Sequence, residues 1–412
     1  MSIKLNSTIK PWLYWLIPAI FYMVMYAMQV LPSINIIEMK ATLHINNYQI
    51  AQIKNAFLFT YVLMQIPVGL LFDRYESKKL LALALIIFGI GNVLFALTTN
   101  YYLALLARAM MGFGGSFSFI GCLYLSRIWM SASVFALMVA VTESLLGVSS
   151  AGFNTLFTLM KAHYTYQDIA FGTGIFSFCL ALAAYGILIG KTEKTEKESV
   201  SSYLKRSLPK ILTNKIIILL TAFTGFAFVS YGVMTNLWAV EYLKKTFELQ
   251  QIHAVMINSL TSIGFIIGCP LITFIANRTS MLKTMIVGSI LITVTSTLSY
   301  IIDIPIYEQM TVLLLLGIFT SCSILPFIIA KYVTDGKTYG LASGLINMSF
   351  GGMSIIFNKI SGHLLTVTGE FETATIPVIA AGAAALIIAC VLMIFLDHKT
   401  GQLKSNKHSI SP

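Results

Sequence analysis

The chain has 412 residues, is 57% hydrophobic and only 10% charged, and carries a formal net charge of +11. About a quarter of the residues of a soluble domain are charged, so this composition excludes a soluble globular protein and points to an integral membrane protein. Its apolar runs are continuous rather than alternating, which excludes a membrane β-barrel.

The first apolar run, 12–34, follows Lys4 and Lys10. It is too long for a signal peptide and has no small-x-small cleavage site, so a retained first helix is expected. Further runs cover 51–72, 79–98, 101–126, 133–159 and 168–190. The polar stretch KTEKTEKESVSSYLKRSLPKILTNK follows, read as a solvated tether with helical pieces. Six more runs cover 216–240, 252–276, 282–302, 308–332, 338–365 and 374–396. The expected fold is an all-α membrane protein, with twelve transmembrane helices in two pseudo-symmetric six-helix bundles. The expected division is 1–190, a linker at 191–215, 216–398, and a tail at 399–412. QIPVGLLFDR in the second run has a weak echo in GCPLITFIANR of the eighth, with Asn277–Arg278 where the first half has Asp73–Arg74.

Lysine and arginine set the orientation of the spans. With the amino terminus inside, 20 of the 27 basic residues fall in cytoplasmic segments and 5 on the opposite side. Both termini are therefore expected in the cytoplasm, and this bias accounts for the net charge without a nucleic-acid partner.

Cys122, Cys179, Cys269, Cys322 and Cys390 all lie in apolar runs, as reduced small hydrophobes. The six histidines are scattered, so no metal site is expected. There is no Walker loop and no nucleophile–base constellation, so neither an enzyme nor an ATP-driven pump is expected, and no cofactor.

A charge within the bilayer costs about 2.5–3.5 kcal/mol on insertion scales. Arg108 lies about 10 Å from the outer edge of the fourth span, and Glu143 about 16 Å from the inner edge of the fifth. In a core of about 30 Å these depths are similar, so the two can pair if their faces meet. A carboxylate balanced between burial and a nearby arginine can take up and release a proton. Alternatively the two form a static ion pair that fixes packing. Polar and aromatic candidates for substrate contact are Tyr22, Tyr26, Gln29, Tyr61, Gln65, Tyr231, Asn236 and Asn347. Trp238 is also noted in the seventh span. Gln65 and Asn347 stand out because an amide in lipid needs a partner. Lys54, Glu241 and Lys359 lie near outer helix ends, where snorkelling is the default. Gly112, Gly114, Gly115, Gly351 and Gly352 read as close-packing positions.

The loop GLLFDRYESKK (69–79) places five charges between two apolar runs. Gly69, Leu71, Asp73, Arg74 and Lys79 resemble the signature loop of the major facilitator superfamily, with Glu76 and Ser77 replacing its usual Gly and Arg. Arg108 in RAMMGFGGS is similar to that family's arginine of the fourth helix. YVLMQIPVGLLFDRY, NLWAVEYL and GLASGLINMSFGG resemble a narrower branch: bacterial intraphagosomal amino-acid transporters, siderophore carriers and lysosomal dipeptide carriers. Much of that branch has an arginine three residues before a helix 1 proline; here Gln29 precedes Pro32.

The resemblance implies a secondary active transporter working by alternating access, coupled to a proton gradient. Its solute would be an amino acid, short peptide or similar nutrient. By the depth and burial argued above, Arg108 and Glu143 would serve that coupling, and of the two only Arg108 also matches a family signature. Gly69, Asp73, Arg74 and Lys79 would form a conformational latch, with Asp73 docked at the amino end of helix 11 and Arg74 orienting the acid. The implied setting is a monomer in the lipid bilayer of a bacterial inner membrane. The alternatives are a siderophore or drug exporter and a non-transporting membrane sensor. The fifth span, VAVTESLLGVSSAGF, lacks the proline of an antiporter motif.

Overall fold

The computed structural model describes residues 10–160, 163–188, 200–334 and 338–405. The tether sequence 191–199 and the tail beyond 405 lie outside the described residues. All described regular structure is helical. In order, the helices are α1 (Lys10–Ile34), α2 (Ile36–Leu43), α3 (Asn47–Arg74), α4 (Ser77–Leu97), α5 (Tyr101–Trp129), α6 (Ala132–Met160) and α7 (Tyr166–Ile187). After the short α8 (Val200–Leu212) come α9 (Lys215–Val229), α10 (Ala239–Phe247), α11 (Gln251–Arg278) and α12 (Met281–Tyr300). The chain continues with α13 (Ile306–Thr320), α14 (Leu325–Val333), α15 (Tyr339–Thr368) and α16 (Phe371–Ser405). Among the described residues, eleven helical stretches are long and apolar enough to cross a membrane. α6 supplies the twelfth through its apolar segment Val134–Ser149.

The helices begin where side chains satisfy the first unpaired N–H groups. Asn46 and Gln49 form a capping box on α3, and Thr165 and Asp168 form one on α7. Asn100, Asn214 and Ser280 cap α5, α9 and α12. Glu38 on α2 accepts from the Tyr166 N–H at 3.2 Å, placing a carboxylate at the start of α7. Inside the spans, hydroxyls turn back to the carbonyl one turn earlier, as Ser126 to Cys122 at 2.7 Å and Ser289 to Met285 at 2.8 Å.

Two expected single spans prove to be compound. The seventh is α9, then a π-helical segment Ser230–Trp238, then α10. The tenth is α13 and α14 joined by a 3-10 turn, Ser321–Ile324. Pro326 follows that turn, and its ring would crowd the carbonyl four residues earlier in a continuous α-helix.

By contact, the described residues divide into two compact units: Met1–Leu208 with Thr334–Met348, and Pro209–Val333 with Ser349–Pro412. In the first, α5 packs on α1, α3 and α4. A Cβ on Gly112 would collide with the Phe57 carbonyl, and one on Gly114 would sit 2.6 Å from the Ala84 carbonyl oxygen. In the second, α11 packs on α13 and α12 on α16. Gly352 has open space around its Cα, so it is not a close-packing position as expected.

Replacing Gly114 with Ala is expected to lower the thermal unfolding midpoint of the purified protein, by about 1–3 kcal/mol of stability, because backbone rather than a flexible side chain blocks the new methyl. Gly186→Ala, where nothing lies within 4 Å, is the control and should be neutral or stabilising.

Candidate functional site

At the end of α3, Asp73 is 4% exposed. Its Oδ1 accepts from the Gly340 N–H and its Oδ2 from the Leu341 N–H, both at 2.8 Å. These are two of the orphan N–H groups in the first turn of α15, where the helix dipole favours an anion. The approach depends on glycine. A Cβ on Gly69 would strike the Gly340 carbonyl, one on Gly340 would strike the Gly69 carbonyl, and one on Gly344 would strike the Gln65 carbonyl. Tyr339 stacks edge-on against Phe135, with Arg127 5.0 Å from its ring centre.

Arg74 does not orient the acid as expected. Its guanidinium lies 5.8 Å from the Tyr75 ring centre and makes no hydrogen bond or ion pair with Asp73 among the described residues. A flat cation satisfied by an aromatic face has no need to compete for a carboxylate already held by two N–H groups. Lys79 pairs with Glu76 at 3.3 Å on the exposed surface. In the echo on α11, Arg278 lies over Phe274, 4.4 Å from its centre.

Farther up the same unit, the two amides predicted to need partners find each other. Asn347 Nδ2 donates to Gln65 Oε1 at 2.8 Å and reaches the Tyr61 hydroxyl at 3.4 Å. Gln65 Nε2 donates to the Tyr61 carbonyl at 3.1 Å. Glu143 on α6 is 2% exposed and forms no hydrogen bond or ion pair with another described residue. It lies within electrostatic reach of the Tyr22 and Tyr61 hydroxyls. Tyr22 and Tyr26 meet edge-to-face at 5.0 Å, and Trp15 Nε1 donates to Thr142 beside Glu143 at 2.8 Å. Tyr22, Tyr26, Tyr61, Gln65, Glu143 and Asn347 thus gather in one unit. Gln29 lies one turn beyond on α1, partly buried.

Arg108 is fully buried and does not pair with Glu143. Its Nη1 donates to the Met28 carbonyl at 2.7 Å and contacts Met111 Sδ at 3.5 Å, while Nε donates to the Ile53 carbonyl at 3.4 Å. The guanidinium carbon lies 4.6 Å from the centre of Phe57 and 5.7 Å from that of Phe95. Nη2 is buried without a partner in the protein. Similar depth does not make the pair, because α5 turns Arg108 toward α1 and α3.

In the second unit Tyr231 is buried, shares a hydrogen bond with Ser262 at 2.9 Å, and packs on Phe228 and Phe265. Asn236 is exposed. Thr235, Asn258, Asn358 and Ser361 escape sequence reasoning, yet each holds a buried oxygen without a hydrogen-bond partner, as Trp238 holds a buried indole N–H. Two asparagines near one end of their spans were the available signal. Among the described residues no group of three or more His, Cys, Asp or Glu could hold a metal ion.

No curated protein sequence matches the chain. Among solved structures, it is similar to an outward-conformation Major Facilitator Superfamily transporter, FucP, with TM-score 0.74 and 16% identity over 94% of this chain and 99% of that one. A substituted form of the Escherichia coli fucose:proton symporter FucP matches with TM-score 0.73 and 15% identity, over 94% and 99% of the two chains. At such identities the likeness is one of fold. A sequence model of the Major Facilitator Superfamily matches residues 15–357, and the chain belongs to that superfamily, as a multi-pass membrane transporter rather than an enzyme.

Proposed function

We propose that the protein is a proton-coupled importer of a small zwitterionic nutrient, an amino acid or short peptide, working by alternating access as a monomer in a bacterial inner membrane with both termini cytoplasmic. The observation that carries the coupling is Glu143, a carboxyl 2% exposed with no ion-pair or hydrogen-bond partner among the described residues. An unpaired acid in a membrane helix marks an ion pathway by default. When ionised it calls for a positive charge, and a proton or a substrate ammonium supplies one. Tyr22 and Tyr61 lie within electrostatic reach of it, and Tyr26 packs edge-to-face on Tyr22, so phenol groups are at hand for either guest. The fold, shared with a fucose:proton symporter, is compatible with such coupling.

Arg108 serves this site from a distance. It holds the Met28 carbonyl of α1, the helix that carries Tyr22 and Tyr26. It is a positioning residue for the proton site rather than its counter-ion. Asp73, with Gly69, forms the latch, closing the end of α3 on the start of α15 in one state and releasing it in the other.

In proteoliposomes, Glu143→Gln is expected to reduce proton-driven accumulation at least tenfold while leaving solute exchange intact. Uptake with unchanged pH dependence would remove Glu143 from coupling. Arg108→Lys keeps the charge but not the flat, forked donor set. It should lose most transport and lower the unfolding midpoint, with the pH dependence of residual uptake unmoved; a shifted profile would make Arg108 part of the proton site itself. Asp73→Asn removes the charge from two hydrogen bonds worth about 1.5–3 kcal/mol each. Cysteine labelling should then rise at the α3–α4 turn and fall at the opposite face, and equal labelling on both would count against the latch.

A further inference from the structure

The π-helical segment between α9 and α10 opens a polar position inside the second unit. The Ala239 N–H bonds the Met234 carbonyl, five residues back. In an α-helix it would take the Thr235 carbonyl. That carbonyl is freed, and Asn258 Nδ2 of α11 donates to it at 2.8 Å. The bond fixes the Asn258 amide with its Oδ1 pointing away, buried and unpartnered. π-helical turns of this kind occur often at functional sites.

α15 runs beside this segment in parallel register. A Cβ on Gly225 would meet Met353 and Ser349, one on Gly232 would meet Ser354, and one on Gly362 would lie 3.3 Å from the Trp238 ring. Asn358 is four residues from both Ser354 and Gly362, so it shares the face of α15 that meets Gly232 and Trp238. Ser361 lies one turn on. Five buried polar atoms without hydrogen-bond partners are carried by these neighbouring stretches of the π-helical segment, α11 and α15: Thr235 Oγ1, Trp238 Nε1, Asn258 Oδ1, Asn358 Oδ1 and Ser361 Oγ. Thr235 is 8% exposed and Ser361 1%. Native proteins leave few such groups unmatched, so each calls for a partner. Charge is absent from the cluster. Glu241 and Lys359 are the nearest ionisable residues along these two elements; both are exposed, and Glu241 bonds Lys244 at 2.9 Å.

We infer that this cluster is a binding subsite for an uncharged hydrogen-bonding group of the transported solute, matched by a primary carboxamide. The two asparagine oxygens are acceptors and the indole N–H is a donor. A carboxamide offers two N–H donors in a fixed fork and one carbonyl acceptor. Thr235 and Ser361 hydroxyls donate or accept as needed. The inference rests on the transporter reading above and adds the solute's neutral end to it.

The test uses the full-length purified protein and three probes with one amino-acid head: L-glutamine, L-glutamate and L-norleucine. Tryptophan fluorescence and thermal shift report binding. Glutamine is expected to bind at least tenfold more tightly than the other two, and Asn358→Leu and Trp238→Phe should each erase that preference. Asn358→Leu should leave the ligand-free unfolding midpoint unchanged or raised, since it removes a buried orphan oxygen. The inference is overturned if glutamine has no advantage, if the preference survives Asn358→Leu, or if none of the three probes binds. Glutamine flux in proteoliposomes separates the two claims. Variant-sensitive binding without flux sinks the proposed import of such a nutrient and leaves the subsite standing; flux with wild-type affinity in Asn358→Leu sinks the subsite alone.

Discussion

Hydrocarbon offers no hydrogen bonds, so every polar group within a span must be met inside the protein. The rest of this structure follows from that constraint. It makes all the described regular structure helical, turns serines and threonines back on their own helices, and caps helix starts with asparagine, serine or threonine. It also gives meaning to the exceptions. Where a helix departs from regular bonding, an outside group must answer, as Asn258 answers the freed Thr235 carbonyl. Where a side chain has no answer, as at Glu143, the missing partner must come from elsewhere.

The same constraint ties glycine to charge at the start of α15. Two N–H groups there lack helical partners, and a carboxylate satisfies both. Asp73 reaches them only because Gly69, Gly340 and Gly344 let the two backbones close to contact. The small residues and the acid are one device. The acid supplies the attraction, and the glycines supply the distance at which it acts. A contact built on helix ends breaks cleanly, since the N–H groups it releases can be hydrated.

Much of this was legible in the sequence. Continuous apolar runs showed the spans, and Asp73 stood out as an acid among residues that otherwise mark topology. Gln65 and Asn347 were recognisable as amides in need of partners, and they partner each other. What was not legible was direction around a helix axis. Depth placed Arg108 near Glu143, but the turn of α5 aims the arginine at carbonyls of α1 and α3. The π-helical segment hid more. Asn236 is the evident polar residue of the seventh span and is exposed, while its neighbour Thr235 faces inward. A shift from four-residue to five-residue bonding has no compositional mark, so the face it buries could not be read from spacing.

Arg108 has a consequence of its own. Its hydrogen-bonding oxygens belong to the backbone, at Met28 and Ile53. Any side chain at those two positions still presents the same carbonyl. The arginine is therefore anchored by groups that mutation does not delete, and substitutions at 28 and 53 act only through packing. A scan of single substitutions would register Arg108 through lost hydrogen bonds, and its anchors Met28 and Ile53, both buried, through packing alone. Relatives can let those anchor positions drift while keeping the arginine, so the contact leaves no paired signal in sequence variation.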